Sequence, residues 1–459
     1  MRLSRMRYII NAVLVCISFY GCVSKNVIYN SAPTLIPGTR SEMNTAGFWI
    51  GNHPDPDRVI APSQEIDGLN NLIREQTGTV KDLMEYPRTY QGEWLDNTFK
   101  NMLKYVNKRR YFTAAGHMAD NGFFDPIEDN MGCDQIPDVI DVRFGFIVAY
   151  SHQRLLPTEE SLYTRSMNIE FDRLQNSALD IGTPLTILHE TSDGKWLYAV
   201  SPLSEGWLLS GNVAVCTRDQ FVHYLTLPDF VVTTSAKADI YLDSALKTYY
   251  GFARMGGRFP HDGGDVNGAV EILLPMRMAD GRCTFAGAYV SEAEVNRGYL
   301  PYTPRNIIVQ SFRLINAPYG WGGMSGEQDC SRFIEEVFST VGIYLPRNSR
   351  KQAMSGRLVG PTNPDSKEEK MLDLLINETP AGTSILQING HIMLFLGVID
   401  GSPYAIHDMW AYAVPGHEAE ELKVVNRVVV TNLYLGKGTD AGTFLERLLA
   451  IRSLDKLDR

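Results

Sequence analysis

A glycine-rich turn that runs straight into Asp329-Cys330-Ser331, and from there into an apolar repeat, constrains this chain more than any other stretch. It reads Ala317-Pro-Tyr-Gly-Trp-Gly-Gly and then Gln328-Asp-Cys-Ser-Arg-Phe-Ile-Glu-Glu-Val-Phe. Phe333, Val337, Phe338 and Val341 recur at helical spacing, which predicts a helix from about Cys330 to Val341. Asp329 is its N-cap candidate, and Cys330 falls in the first turn. Unpaired N–H groups and the positive end of the helix dipole favour a thiolate there, and the thiolate is the nucleophilic form.

A nucleophile needs a base, and Cys330 is followed by three histidines. His391 opens the apolar run Asn389-Gly-His-Ile-Met-Leu-Phe-Leu-Gly, which reads as a buried strand. His407 lies in Tyr404-Ala-Ile-His-Asp-Met-Trp, which reads as its neighbour, whereas His417 sits in a polar loop. Cys330, His391 and His407 are therefore the expected nucleophile, base and base-orienter.

Pro318-Tyr-Gly-Trp-Gly-Gly, Asp329-Cys-Ser, Leu345-Pro-Arg347 and Gly390-His-Ile-Met-Leu-Phe-Leu-Gly, in that order over about residues 303–440, resemble the NlpC/P60 family of cell-wall cysteine peptidases. The resemblance implies a papain-like α+β fold in which a helix carrying the cysteine packs on a sheet carrying the histidine. It implies cleavage of peptidoglycan stem peptides beside γ-D-glutamate, with no cofactor and no metal. It also implies that Asp329 and Ser331 hold the free amino end of L-Ala-γ-D-Glu, with Tyr319 as a further substrate contact. A capping carboxylate and a first-turn hydroxyl explain Asp329 and Ser331 equally well.

Upstream, Gly182-Thr-Pro, Asp193-Gly-Lys-Trp and Gly206-Trp-Leu mark strands and an Asp-Gly turn. They resemble a bacterial SH3 domain, and that resemblance offers Trp207 as a cleft contact beside its alternative role as a barrel-packing residue. Residues 228–302 fit a second, divergent SH3-like barrel. The expected order is a signal segment at 1–22, a polar tether at 23–50 and a mixed, partly helical domain at 51–158. Two barrels follow at 159–227 and 228–302, and a peptidase domain at 303–459 completes the chain. The run from Phe444 to Arg452 is expected as a short helix.

Arg2, Arg5 and Arg7, then an apolar stretch too short to span a bilayer, then Phe19-Tyr-Gly-Cys22 resemble a lipoprotein signal. Export to the cell envelope follows as an expectation, with Cys22 lipidated and the protein held at a membrane by that anchor. The net charge of −10 over 459 residues argues against a nucleic-acid partner. No CxxC pair is present, which disfavours zinc, and a disulfide among Cys133, Cys216 and Cys283 stays open. Two rival readings remain: a wall-binding protein without catalysis, and another thiol amidase or acyltransferase on the same scaffold.

Overall fold

The structure is a computed structural model that describes residues 35–166, 169–261, 263–360, 368–415 and 421–455. The expected signal segment with Cys22, the start of the expected tether, residues 361–367 and His417 lie outside the described residues. Residues from Leu35 onward form one compact unit.

The C-terminal part, expected as the peptidase domain, is built on a six-stranded antiparallel sheet. Its order is Arg357–Leu358, Ala450–Ser453, Ser384–Ile388, His391–Ile399, Ser402–Val414 and Glu421–Asn432. The side-chain alternation of a strand separates two cores. Ile392, Leu394, Leu396 and Ile406 face the helix Cys330–Ser339, where Phe333, Ile334, Val337 and Phe338 are buried against them. Met393, Phe395, Ala405 and Met409 face the other way, toward helix Glu368–Asn377. The fold is α+β, with the cysteine on the helix and both histidines on adjacent strands. The expected helix from Phe444 is instead a turn leading to the strand Ala450–Ser453, because Phe444, Leu445 and Leu448 bury themselves against the sheet.

The first β module begins earlier than residue 159. Its seven-stranded sheet has the order Val213–Cys216, Arg143–Ile147, Pro184–Glu190, Trp196–Val200, Glu205–Leu209, Ser151–Arg154 and Gln175–Leu179. Arg143–Ile147 pairs with two strands far ahead of it, so the barrel takes residues that the sequence order assigns to the preceding domain. The segment at 51–158 is thereby divided. Helix Ser63–Thr77 packs Leu69 and Ile73 into the peptidase core, while helix Gly92–Asn107 packs Leu95, Phe99, Leu103 and Val106 on the barrel.

The second β module has a three-stranded and a four-stranded sheet, which share a core of Val231, Ile240, Phe259, Val270, Ile272 and Val290. Cys133, Cys216 and Cys283 keep free thiols. The expected tether is folded over its described part. Met43 and helix Ala46–Asn52 dock on the peptidase, with Trp49 buried 5.5 Å from the Tyr404 ring. Two large apolar side chains in a polar stretch suffice to pin it, since burying each contributes about 1.5–3 kcal/mol.

Candidate active site

Cys330 is the first residue of its helix and is 6% exposed. The turn before it needs glycine at Gly322, whose φ of 59° lets its N–H donate to Asp329 Oδ2 at 3.1 Å. Asp329 caps the helix as expected, but it does far more. Its Oδ1 accepts from Ser331 N–H, Ser331 Oγ–H, Arg332 N–H and Arg347 Nη1 at 2.9–3.2 Å. Its Oδ2 accepts from Gly322 and, at 2.7 Å, from Arg347 Nη2. A carboxylate offers about four lone-pair positions, so Asp329 has no acceptor left for a substrate ammonium. Ser331 is engaged as well, donating to Asp329 and accepting from Arg347 at 2.8 Å. Burial, the largest influence, would raise the Asp329 carboxyl, but the Arg347 charge and hydrogen bonds from Arg347, the Arg332 N–H and Ser331 together hold it below its ordinary value.

His391 and His407 are in hydrogen-bond contact, His391 Nε2 to His407 Nδ1 at 2.6 Å. His407 Nε2 lies 2.9 Å from Thr431 Oγ1. One consistent assignment follows for neutral rings. His391 donates from Nε2 to His407, His407 donates from Nε2 to Thr431, and His391 Nδ1 is left without a proton. His407 is fully buried, while His391 is half-buried.

The electrostatics favour the uncharged pair at rest. Burial first, then the Asp329 charge, push the Cys330 thiol up to about 12 against the opposing Ile392 N–H. Crowding by the surrounding protein, then Arg447, pushes His391 down to about 4. Burial and His391 keep His407 well below its ordinary value. The arrangement therefore suits proton transfer from thiol to imidazole during attack, rather than a standing thiolate–imidazolium pair.

Further residues complete the setting. Asp408 is buried, accepts from Gln328 Nε2 at 3.0 Å, and is held strongly toward its neutral form by burial. Gln328 is in turn held by Arg254 of the second β module, whose Nε donates to Glu336 at 2.5 Å. Arg332 reaches Glu336 at 2.7 Å and Asp180 of the first β module at 2.5 Å. Sequence reasoning missed Arg254, Thr431 and Asp408 as parts of this network. Arg347 stood in the Leu345-Pro-Arg347 motif without a role attached.

Tyr319 is half-buried beside the site, its phenol pushed up by burial and then by the Cys330 and Asp329 charges. Trp207 lies elsewhere. It is 0% exposed and packs against Phe99 and Tyr198 at 5.0 and 5.5 Å, which makes it a core residue and removes it as a cleft contact. A cavity of about 1070 Å³ opens where the helix Ser63–Thr77 and both β modules meet the peptidase. Arg347 and Arg332 line it, and Cys330, His391 and His407 do not. No cluster of metal-binding side chains occurs among the described residues.

Comparison with known proteins bears on this geometry. Residues 162–209 match the family model of an SH3 domain of SH3b1 type, and residues 316–410 match that of the NlpC/P60 family. Among solved structures, the fold is similar to an NlpC/P60 endopeptidase from Photobacterium damselae subsp. piscicida. The identity is 20%, the TM-score 0.75, and the match covers 93% of this chain and 100% of that one. An NlpC/P60 family protein from Bacillus cereus ATCC 10987 matches at 16% identity and TM-score 0.44, over 61% of this chain and 83% of that one. Comparison with the curated proteins finds no match. The chain thus carries an NlpC/P60 family domain, which holds Cys330, His391 and His407, behind an SH3 domain of SH3b1 type.

Proposed function

We propose that this chain is a cysteine peptidase that hydrolyses the γ-D-glutamyl–diamino acid bond of peptidoglycan stem peptides. The NlpC/P60 family is generally one of cysteine peptidases acting on peptidoglycan, and the bond is the one its resemblance implies. The observation that carries the reading is a cysteine at a helix start, on the sheet whose adjacent strands align His391, His407 and Thr431. His391 Nδ1 takes the Cys330 proton as sulfur attacks the γ-carbonyl. The tetrahedral oxyanion is placed at the Cys330 backbone N–H, at the positive end of the helix. Collapse expels the diamino acid amine, which receives the proton from His391, and leaves a thioester. Water, deprotonated by the same nitrogen, then releases the γ-carboxylate and restores the thiol.

The expected contact between Asp329 and a free L-Ala ammonium has no open acceptor to rest on, so the proposed substrate carries no requirement for a free amino end. Export through residues 1–22 and lipid anchoring at Cys22 belong to the same proposal, on the sequence alone. Membrane partition that Cys22→Ser leaves unchanged would remove the anchor.

The test is incubation of the protein lacking residues 1–22 with L-Ala-γ-D-Glu-diaminopimelate and with its N-acetylated form, followed by mass spectrometry. Diaminopimelate release from both, abolished by Cys330→Ala, is the expected result. Release from the unblocked peptide alone would restore the amine contact. Cys330-independent release, or none, would favour the wall-binding or acyltransferase alternatives.

A further inference from the structure

Three aromatic rings and one arginine cation meet beside the proposed catalytic centre. Phe171 and Arg173 come from the first β module, and Trp321 and Trp410 from the peptidase part. The Phe171 ring lies 5.2 Å from Trp321 and 4.9 Å from Trp410, edge to face in both cases. The Arg173 guanidinium sits 5.2 Å from the Trp321 ring and 5.9 Å from that of Phe171. All four side chains are half-buried, so each keeps surface in solvent.

Two features separate this group from ordinary packing between modules. First, the Arg173 guanidinium forms no ion pair or hydrogen bond among the described residues, and its Nε is buried without a partner. A guanidinium carries five donors and no acceptor; the buried Nε is closed to a ligand, and the Nη donors of this half-buried side chain are the ones that suit an acceptor-rich ligand. Second, the frame is rigid. Trp321 Nε1 donates to Asp172 O at 2.8 Å, and Asp172 is buried and paired with Arg154 at 2.9 Å. Preorganised aromatic surface binds without a large ordering cost.

The position matches the chemistry. Gly322, next to Trp321, donates to the Asp329 carboxylate beside Cys330. Trp410 is three residues beyond His407 on one strand, about 10 Å along it at the usual rise. The register shifts there between Met409 and Ala411, and such bulges re-aim a side chain. From the γ-carbonyl of D-Glu, the rest of that residue, L-Ala and a lactyl ether span about 13 Å when fully extended, so a slightly bent peptide reaches that far. What lies there in an uncut stem peptide is a pyranose. It has apolar C–H faces for aromatic rings and acetamido, hydroxyl and lactyl oxygens for a guanidinium.

We propose that Phe171, Arg173, Trp321 and Trp410 form a sugar subsite that holds the N-acetylmuramyl end of a stem peptide still joined to its glycan. The proposal rests on the peptidase reading above and gives it a direction. The closed Asp329–Arg347 pair removes the need for a free amino end, and the aromatic group engages what is attached there instead.

The experiment compares kcat/KM for L-Ala-γ-D-Glu-diaminopimelate and for the same peptide carried on N-acetylmuramic acid. The expected preference is about tenfold for the muramyl peptide. Trp410→Ala and Arg173→Gln bring the ratio close to one, and Trp410→Phe retains most of it. Circular dichroism and Tm confirm that the variants fold. A second readout is independent of turnover: quenching of tryptophan fluorescence in the Cys330→Ala protein by a soluble N-acetylglucosaminyl-N-acetylmuramic acid disaccharide. Saturable quenching weakened by Arg173→Gln supports the subsite even if neither peptide is cleaved, in which case the peptidase reading alone fails. Equal wild-type kcat/KM values, a preference unchanged in Trp410→Ala, or no saturable quenching overturns the subsite.

Discussion

Replacing Arg347 by Met tests whether the charge pair behind Cys330 is as demanding as its surroundings imply. Arg347 and Asp329 are about 11% and 10% exposed and are joined by two hydrogen bonds, at 3.0 and 2.7 Å. Removing one member of so enclosed a pair leaves an uncompensated charge, at a cost of about 3–5 kcal/mol, where a solvent-exposed pair costs about 0–1. The pH dependence then follows from Asp329. In the native protein its carboxyl is held below its ordinary value despite burial, because Arg347, with the Arg332 N–H and Ser331, offsets the burial. Its contribution is therefore complete above the unfolded carboxyl range and is lost as pH falls through the folded value. Without Arg347, burial dominates and the carboxyl rises. The folded variant then gains protons before the unfolded chain does, so its deficit shrinks as pH drops from 7 toward 4.5. Urea unfolding followed by tryptophan fluorescence at both pH values measures this. A loss under about 1 kcal/mol at pH 7, or a deficit that widens on acidification, would refute the reasoning. Asp329→Asn with Arg347→Met separates charge from shape, since the double variant is expected to recover part of the loss.

Three further outcomes follow, two at the same site and one in the core of the first β module. With His391 near 4 and the thiol near 12, the acid limb of kcat/KM against pH is expected close to pH 4; a limb at 6.5 would mean that the imidazole is not held neutral. Thr431→Val strands the buried Nε2–H of His407 at a cost of about 1–3 kcal/mol, so kcat is expected to fall about tenfold or more with KM nearly constant. A kcat within twofold of the parent would remove Thr431 from the relay. Trp207→Ala is expected to destabilise the fold by about 3–5 kcal/mol and to leave the KM of the surviving folded enzyme unchanged, which thermal unfolding and steady-state kinetics read separately.

The candidate residues of the site were legible because each sits in a short local pattern. Asp329-Cys330-Ser331 precedes a helical repeat, and His391 and His407 open or interrupt apolar runs that became adjacent strands. What supports them was not legible, because it comes from distant parts of the chain. Arg254 contacts Glu336 across 82 positions and Gln328 across 74, and nothing near residue 254 announces a partner. The barrel boundary was lost for the same reason, since Arg143–Ile147 finds its neighbours only when Pro184–Glu190 and Val213–Cys216 are in place. Trp207 failed differently. A Gly-Trp-Leu strand exposes alternate faces, and only packing against Phe99 and Tyr198 shows that the indole points inward.

The buried charges on the cysteine helix also bear on how such a chain is inherited. Arg332 shares itself between Glu336 and Asp180, and Glu336 between Arg332 and Arg254. An excised fragment of residues 303–459 would keep only the pair in the middle, with each member stripped of a counter-ion from an upstream module. The peptidase is therefore no cassette that recombination can lift out and join to a new neighbour. It and its two β modules are bound to vary together, because a change at any of the four charges is felt by the other three.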